Sequence, residues 1–284
     1  MKNRRNVLIE KELAKICKAE ERLKKAAVRS EEASWKAELV NKIPPKAYDA
    51  LEKAFVKSFA VIFEKGTGLI EKTFNKDAME ADYEIHDYAI KRKGGRKEIR
   101  GLRKEAAKTD FINMAASTVE GIGLGVFGIG IPDIALFAGM LLKGIYQAAL
   151  HYGIDYEKPQ EKYFILKMME ASMTKGEAFI RLSDELNSCV AQGSLQIPAE
   201  QQLKVQLEKT ADAFAADMLL QKFIQGLPVV GILGGAGNPV YYRRVMRYVN
   251  MQYQKRYLLR QTEADTKKEG DTLVIKEDFR SFSH

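Results

Sequence analysis

The sequence predicts an all-α, multi-helix globular fold, and three observations carry that prediction. Apolar residues recur at steps of three and four in segment after segment, the spacing that lays them along one helix face. Proline and glycine punctuate these segments where helices start and stop. Residues 121–142 form a stretch whose one charged side chain is Asp133, and no other part of the chain can bury as much surface. Few Asn-Gly or Asp-Gly turns are present, which argues against an all-β chain.

The N-terminal 34 residues are highly charged, with Leu8, Leu13, Ile16 and Leu23 at irregular helical spacing. They read as an exposed basic helix, peripheral to the main domain. Pro44 and Pro45 mark a new helix start. Beyond them Tyr48, Leu51, Phe55, Phe59, Ile62 and Phe63 form an aromatic stripe of the kind that fills cores. Gly66-Thr67-Gly68 interrupts or kinks this helix. A short helix is expected over 77–90, then a break at Gly94-Gly95, then a basic helix from Arg96 that continues into the Ala-rich residues 111–119.

The glycine-rich run that follows contains Gly121, Gly123, Gly125, Gly128 and Gly130. Each glycine costs about 1 kcal/mol relative to alanine in a helix. The return is close backbone approach, as in small-xxx-small helix pairs. Pro132 and Asp133 read as the first turn of a helix, with the carboxylate at the positive end of the dipole. Gly153 is a natural C-terminal stop. Pro159 restarts the chain, Gly176 divides two further helices, and residues 199–225 are amphipathic. A second glycine-rich element contains Gly231, Gly234, Gly235 and Gly237. Asn238 caps the helix after it, with Pro239 at the first position. Both glycine elements thus lead into a proline-started helix, a weak internal echo. About nine to twelve helices are expected on this pattern. The main domain spans 35–259, and a charged tail occupies 260–284.

Composition narrows the function classes. With 284 residues, 46% apolar and 30% charged, the chain suits a soluble or membrane-surface protein rather than a multi-span one. Net charge is +8 and the excess is clustered. Residues 91–108 hold nine Lys or Arg against two Glu, and residues 241–260 hold six and no acid. Such clusters attract phosphate. Arg92, Arg96, Arg100, Arg243, Arg244 and Arg247 are the candidate basic surface. The basic runs are interleaved with buried-type positions rather than stacking aromatics, so nucleic acid is not an expected partner. Residues 7–9 are too short an apolar run for a secretory leader, and the expected location is cytoplasmic.

The sequence carries no catalytic or metal-binding motif in the context such motifs require. Gly123, Gly125 and Gly128 match GxGxxG spacing, but no alternating βαβ pattern surrounds them. No Lys-Ser or Lys-Thr pair follows, so a P-loop is excluded. His86 lies among Asp82, Glu84 and Asp87 without a second histidine, and Cys17 and Cys189 have no metal-ligand spacing. No cofactor or metal is expected. Glu120, Asp133, Asp155 and His151 form an alternative acid–base set, against which Asp133 reads as a helix cap and Asp155 as a turn residue. As a membrane span, residues 121–142 gain roughly −0.3 to −0.6 kcal/mol from each of about a dozen apolar residues, while Asp133 costs roughly +2.5 to +3.5. Five glycines and a proline weaken that balance further. A hairpin buried in protein, or one dipping into the membrane interface, fits better than a span.

Three segments together resemble the EcsC family: the run into IPDIALFAGMLLKGIYQAALHYGID, the later LPVVGILGGAGNPVYYRRVMRYVNMQYQKRYL, and WKAELVNKIPPKAYDALEKAFVKSFAVIFEKGTGLIEKTF. The resemblance implies a mostly helical bacterial protein at the inner face of the membrane, or beside a membrane protein of ABC-transporter type, and carries over no catalytic residues. The expectation is a non-enzymatic, amphitropic accessory protein. Its glycine elements, with Pro132 and Asp133, would make the apolar contact, and its arginines would hold anionic lipid. A carrier of lipid or another apolar ligand is the first alternative, and an enzyme with an acid–base site near Asp133 and His151 is the second.

Overall fold

The computed structural model describes residues 2–31, 44–107, 132–191, 196–224 and 239–281, and among these there is no strand. Helix α1 spans Lys2–Glu31 and α2 spans Pro45–Val61. A π turn over Ile62–Gly66 passes α2 into the short α3, Thr67–Glu71. Then follow α4 (Lys76–Lys93), α5 (Arg96–Ala107), α6 (Pro132–His151), α7 (Pro159–Met173), α8 (Gly176–Ala191), α9 (Glu200–Ile224) and α10 (Pro239–Ser281). Helices α2, α6, α7 and α10 all open on proline, whose fixed φ suits the first turn and whose missing N–H has no partner to lose there. Asn75 caps α4 by accepting the Ala78 N–H at 2.9 Å.

Helix α6 is the axis of the molecule and packs against α2, α3, α4, α5 and α10. Its residues Ile134–His151 have mean hydropathy 1.3, long and apolar enough to cross a membrane, yet 83% of that window is buried inside the protein. The described part of the apolar stretch is therefore a core helix. Phe137 of α6 meets Phe55 of α2 and Phe214 of α9 at ring-centroid distances of 6.5 and 6.2 Å, and Phe59 joins the same cluster. These rings are the stripe that the spacing in α2 predicts.

Helices α6 and α10, the two that follow the glycine-rich elements, run in parallel. Gly144, past the middle of α6, lies under Tyr242 and Met246 in the first turns of α10, where a Cβ would collide with the Tyr242 hydroxyl. Near the far end Arg260 donates to the carbonyls of Tyr152 (2.6 Å) and Gly153 (3.4 Å). That places a cation on the negative end of the α6 dipole. The α6 terminus is a Schellman motif: Ile154 N–H bonds Ala149 O and Gly153 N–H bonds Leu150 O, both at 2.9 Å, with Gly153 at φ 63°.

Two boundary expectations need correction. Helix α1 is not peripheral, since it packs on α8 and α10 with Ile9 and Ile16 buried. Its contact face is also polar, which is why the apolar spacing is irregular. Buried Arg5 donates to Gln261 at 2.7 Å, and Gln261 and Tyr257 both donate to Asp87 of α4 at 2.8 Å. Buried Glu20 accepts from Gln252 (3.0 Å) and Lys255 (2.6 Å). The expected tail boundary also moves, because Arg260 and Gln261 belong to this network and α10 continues helically to Ser281.

Candidate functional site

One pole of the molecule gathers several helix ends. Asp217, near the end of α9 and 4% exposed, pairs with Arg244 of α10 at 2.6 Å and with Lys175, just past α7. Arg244 also reaches the Met173 sulfur at the end of α7, 3.0 Å away. Tyr48, in the first turn of α2, bonds Asp212 of α9. Helices α2 and α10 thus begin where α7 and α9 end.

A groove of about 490 Å³ opens here between α1, the α7–α8 turn and α10. Its walls are apolar: Leu23 and Ala27 of α1, Phe179 of α8, and Tyr248 and Val240 of α10. Phe179 and Tyr248 meet edge to face at 5.8 Å, which fixes the floor. Val240 is 63% exposed at the mouth. Lys175, Arg243, Arg244 and Arg247 form the rim. A second groove, of about 740 Å³, lies across the same turn and carries Asp49, Glu170, Asp212 and Asp217 beside Lys175 and Lys209. Its four carboxylates outnumber the two lysines, so it carries a net −2 and does not favour an anion.

What distinguishes the first groove is how the cations of α10 are used. Arg244 is held by Asp217, Lys255 by Glu20 and Arg256 by Glu161 at 2.5 Å. Arg260 is committed to the end of α6. Arg243 and Arg247, one turn apart and exposed, pair with no carboxylate among the described residues, and Arg243 Nε donates only to the Pro239 carbonyl at 3.1 Å. With Asp217 counted against the four rim cations, the groove mouth carries a net +3.

The six arginines expected to form one basic surface fall into two groups. Arg92, Arg96 and Arg100 are exposed on α4 and α5. They lie beside Gly94, which the Arg5 side chain covers, and Arg5 in turn reaches Gln261. From Arg243 to Gln261 is 18 residues, about 27 Å along α10. The two groups thus lie about 27 Å apart along that helix, one at its start and the other near its middle. Of the proposed apolar contact residues, Pro132 and Asp133 open α6. Gly121, Gly123, Gly125, Gly128, Gly130, Gly231, Gly234, Gly235 and Gly237 lie outside the described residues.

The acid–base alternative fails on geometry. Asp133 and His151 stand at opposite ends of one helix, again about 27 Å apart along its axis. Asp155 has a turn role, accepting the Glu157 N–H at 3.0 Å and facing Lys158 at 3.5 Å. Glu120 is outside the described residues. His86 Nδ1 lies 2.8 Å from the Asp82 carbonyl, and no cluster of metal-ligating side chains occurs among the described residues. Burial raises the pKa of several tyrosine hydroxyls, among them Tyr248 on the groove floor, pushed up to about 12, and it also displaces a buried carboxyl and a buried amine. Burial raises the Glu161 carboxyl despite the nearby Arg256, and burial lowers the Lys143 amine. Neither borders the groove.

The EcsC protein family matches residues 9–258. The chain belongs to the EcsC family. No curated protein and no solved structure matches it significantly. The match begins within α1 and ends in α10, in keeping with the packing of α1 into the domain. Sequence reasoning missed the groove itself, because Leu23, Phe179 and Arg247 come from three separate segments. The available signal was the acid-free run of cations over 241–260 beside a helix with a small-residue end at Ala26-Ala27.

Proposed function

We propose that this EcsC-family protein is a non-enzymatic, amphitropic accessory protein that docks by its groove-bearing pole on an anionic membrane surface, at the inner face of a bacterial membrane. The observation that supports this reading most is the pairing of Arg243 and Arg247, which meet no carboxylate among the described residues, with an apolar groove at their feet. Cations near such a surface contribute about 1 kcal/mol each, and apolar side chains at the same spot gain by leaving water. Helix α10 starts at this pole, directly after the second of the two glycine-rich, apolar stretches in the sequence. Docking beside an ABC-transporter-type membrane protein places the same pole against the bilayer.

Vesicle co-sedimentation tests the reading. Binding is expected to rise with the phosphatidylglycerol content of phosphatidylcholine vesicles and to fall as salt is raised, since screening shortens the reach of exposed charges. Binding that ignores both variables would end the proposal.

A further inference from the structure

From the same groove we infer a more specific ligand: it seats one anionic phospholipid, with the head between Arg243 and Arg247 and the first part of a chain along Leu23, Ala27 and Phe179. This inference rests on the membrane-surface reading, and goes beyond it in requiring a discrete site rather than a charged face. Three features favour a single amphiphile. The volume, about 490 Å³, lies in the range of small-molecule sites, roughly 300–1,000 Å³. The groove is two-zoned, with cations confined to one rim and an apolar floor running from Val240 to the Phe179–Tyr248 pair. The two arginines are separated by one helical turn, so both guanidinium forks can face a single phosphate, the geometry in which arginine binds that group best.

Asp217 supplies the selectivity. It pairs with both Lys175 and Arg244, offsetting one of their two charges and fixing them at the groove edge. Free positive charge is thereby concentrated on Arg243 and Arg247. Among the described residues no carboxylate has to be displaced from these two side chains when an anion enters the groove.

Calorimetric titration with monomeric dihexanoyl phosphatidylglycerol, below its micelle concentration, separates the site from the surface. Tight binding is expected for that lipid, with at least about tenfold weaker binding for dihexanoyl phosphatidylcholine and for glycerol phosphate alone. Ala26→Trp, at an exposed α1 position lining the groove, and Val240→Glu at its mouth are each expected to lower affinity for the short lipid about tenfold while the thermal midpoint holds. Three results would overturn the inference: glycerol phosphate binding as tightly as the lipid, both variants binding normally, or an Asp-rich peptide displacing the lipid with equal potency. If wild-type protein sediments with anionic vesicles but ignores the short lipid, the discrete site falls and the surface reading stands.

Discussion

Replacing Asp217 by asparagine should push stability and membrane affinity in opposite directions. The carboxylate is 4% exposed and holds both Lys175 and Arg244. Removing one partner of a fully buried pair costs about 3–5 kcal/mol. Here the cation side chains are 30% and 32% exposed and can turn toward water, which brings the cost nearer the value for charged hydrogen bonds, about 2–3 kcal/mol. In a chain of this size that corresponds to a fall of roughly 5–10 °C in thermal midpoint. At the groove mouth, net charge rises from +3 to +4 once Asp217 no longer offsets the four rim cations. One added charge near an anionic surface is worth about 1 kcal/mol, or roughly fivefold in affinity. Thermal unfolding by circular dichroism reads the first effect and vesicle co-sedimentation the second. Glu161→Gln is the control, because Glu161 pairs with Arg256, about 18 Å along α10 from Arg244, and its loss should leave affinity unchanged. Parallel loss of stability and affinity in Asp217→Asn would refute the role given to the rim charges.

Other outcomes follow from the packing. Phe214→Ala removes a fully buried ring that touches Phe55, Phe59 and Phe137, and is expected to cost about 3–5 kcal/mol in urea unfolding. Gly153→Ala forces a side chain into φ 63° and into the Tyr83 ring, so its thermal midpoint should fall by more than the one for Gly101→Ala, where the nearest atoms are an ordinary 3.7 Å away. Lys143 is buried on the apolar α6, donates to the Thr73 carbonyl at 3.1 Å, and has a pKa lowered by desolvation. A depressed folded-state pKa means its contribution to stability is present above the unfolded value, near 10.4, and is lost as pH falls through the folded one. Lys143→Met should therefore raise the thermal midpoint at pH 7, with a gain that shrinks as pH approaches 10.5. An equal gain at both pH values would contradict that account.

The helical architecture was legible because its signals are local. Proline starts at 45, 159 and 239, the stripe from Leu51 to Phe63, and the Gly153 stop all appear where spacing and turn chemistry put them. The role of α1 was not legible, because Arg5, Glu12 and Glu20 read as solvent-facing until Gln261 and Lys255 are brought to two of them by a fold spanning more than 230 positions. The basic surface failed for a related reason. Sequence gives the sign of Arg244, Arg256 and Arg260 but not the buried carboxylates and carbonyls that occupy them, so which arginines remain free is decided by tertiary packing. The π turn at Ile62–Gly66 lies where Gly66-Thr67-Gly68 signalled an interruption, although its type was not predictable from glycine alone.

The central claim is that the groove pole, and not basic charge in general, meets the anionic surface. Comparing Arg243→Gln/Arg247→Gln with Arg96→Gln/Arg100→Gln tests it, because each double variant removes two exposed charges at a one-turn spacing. On phosphatidylglycerol vesicles at low salt, the first pair is expected to lose about 2 kcal/mol, roughly thirtyfold in affinity, and the second to stay within about twofold of wild type. Equal losses in the two pairs, or a larger loss in the second, would contradict the account.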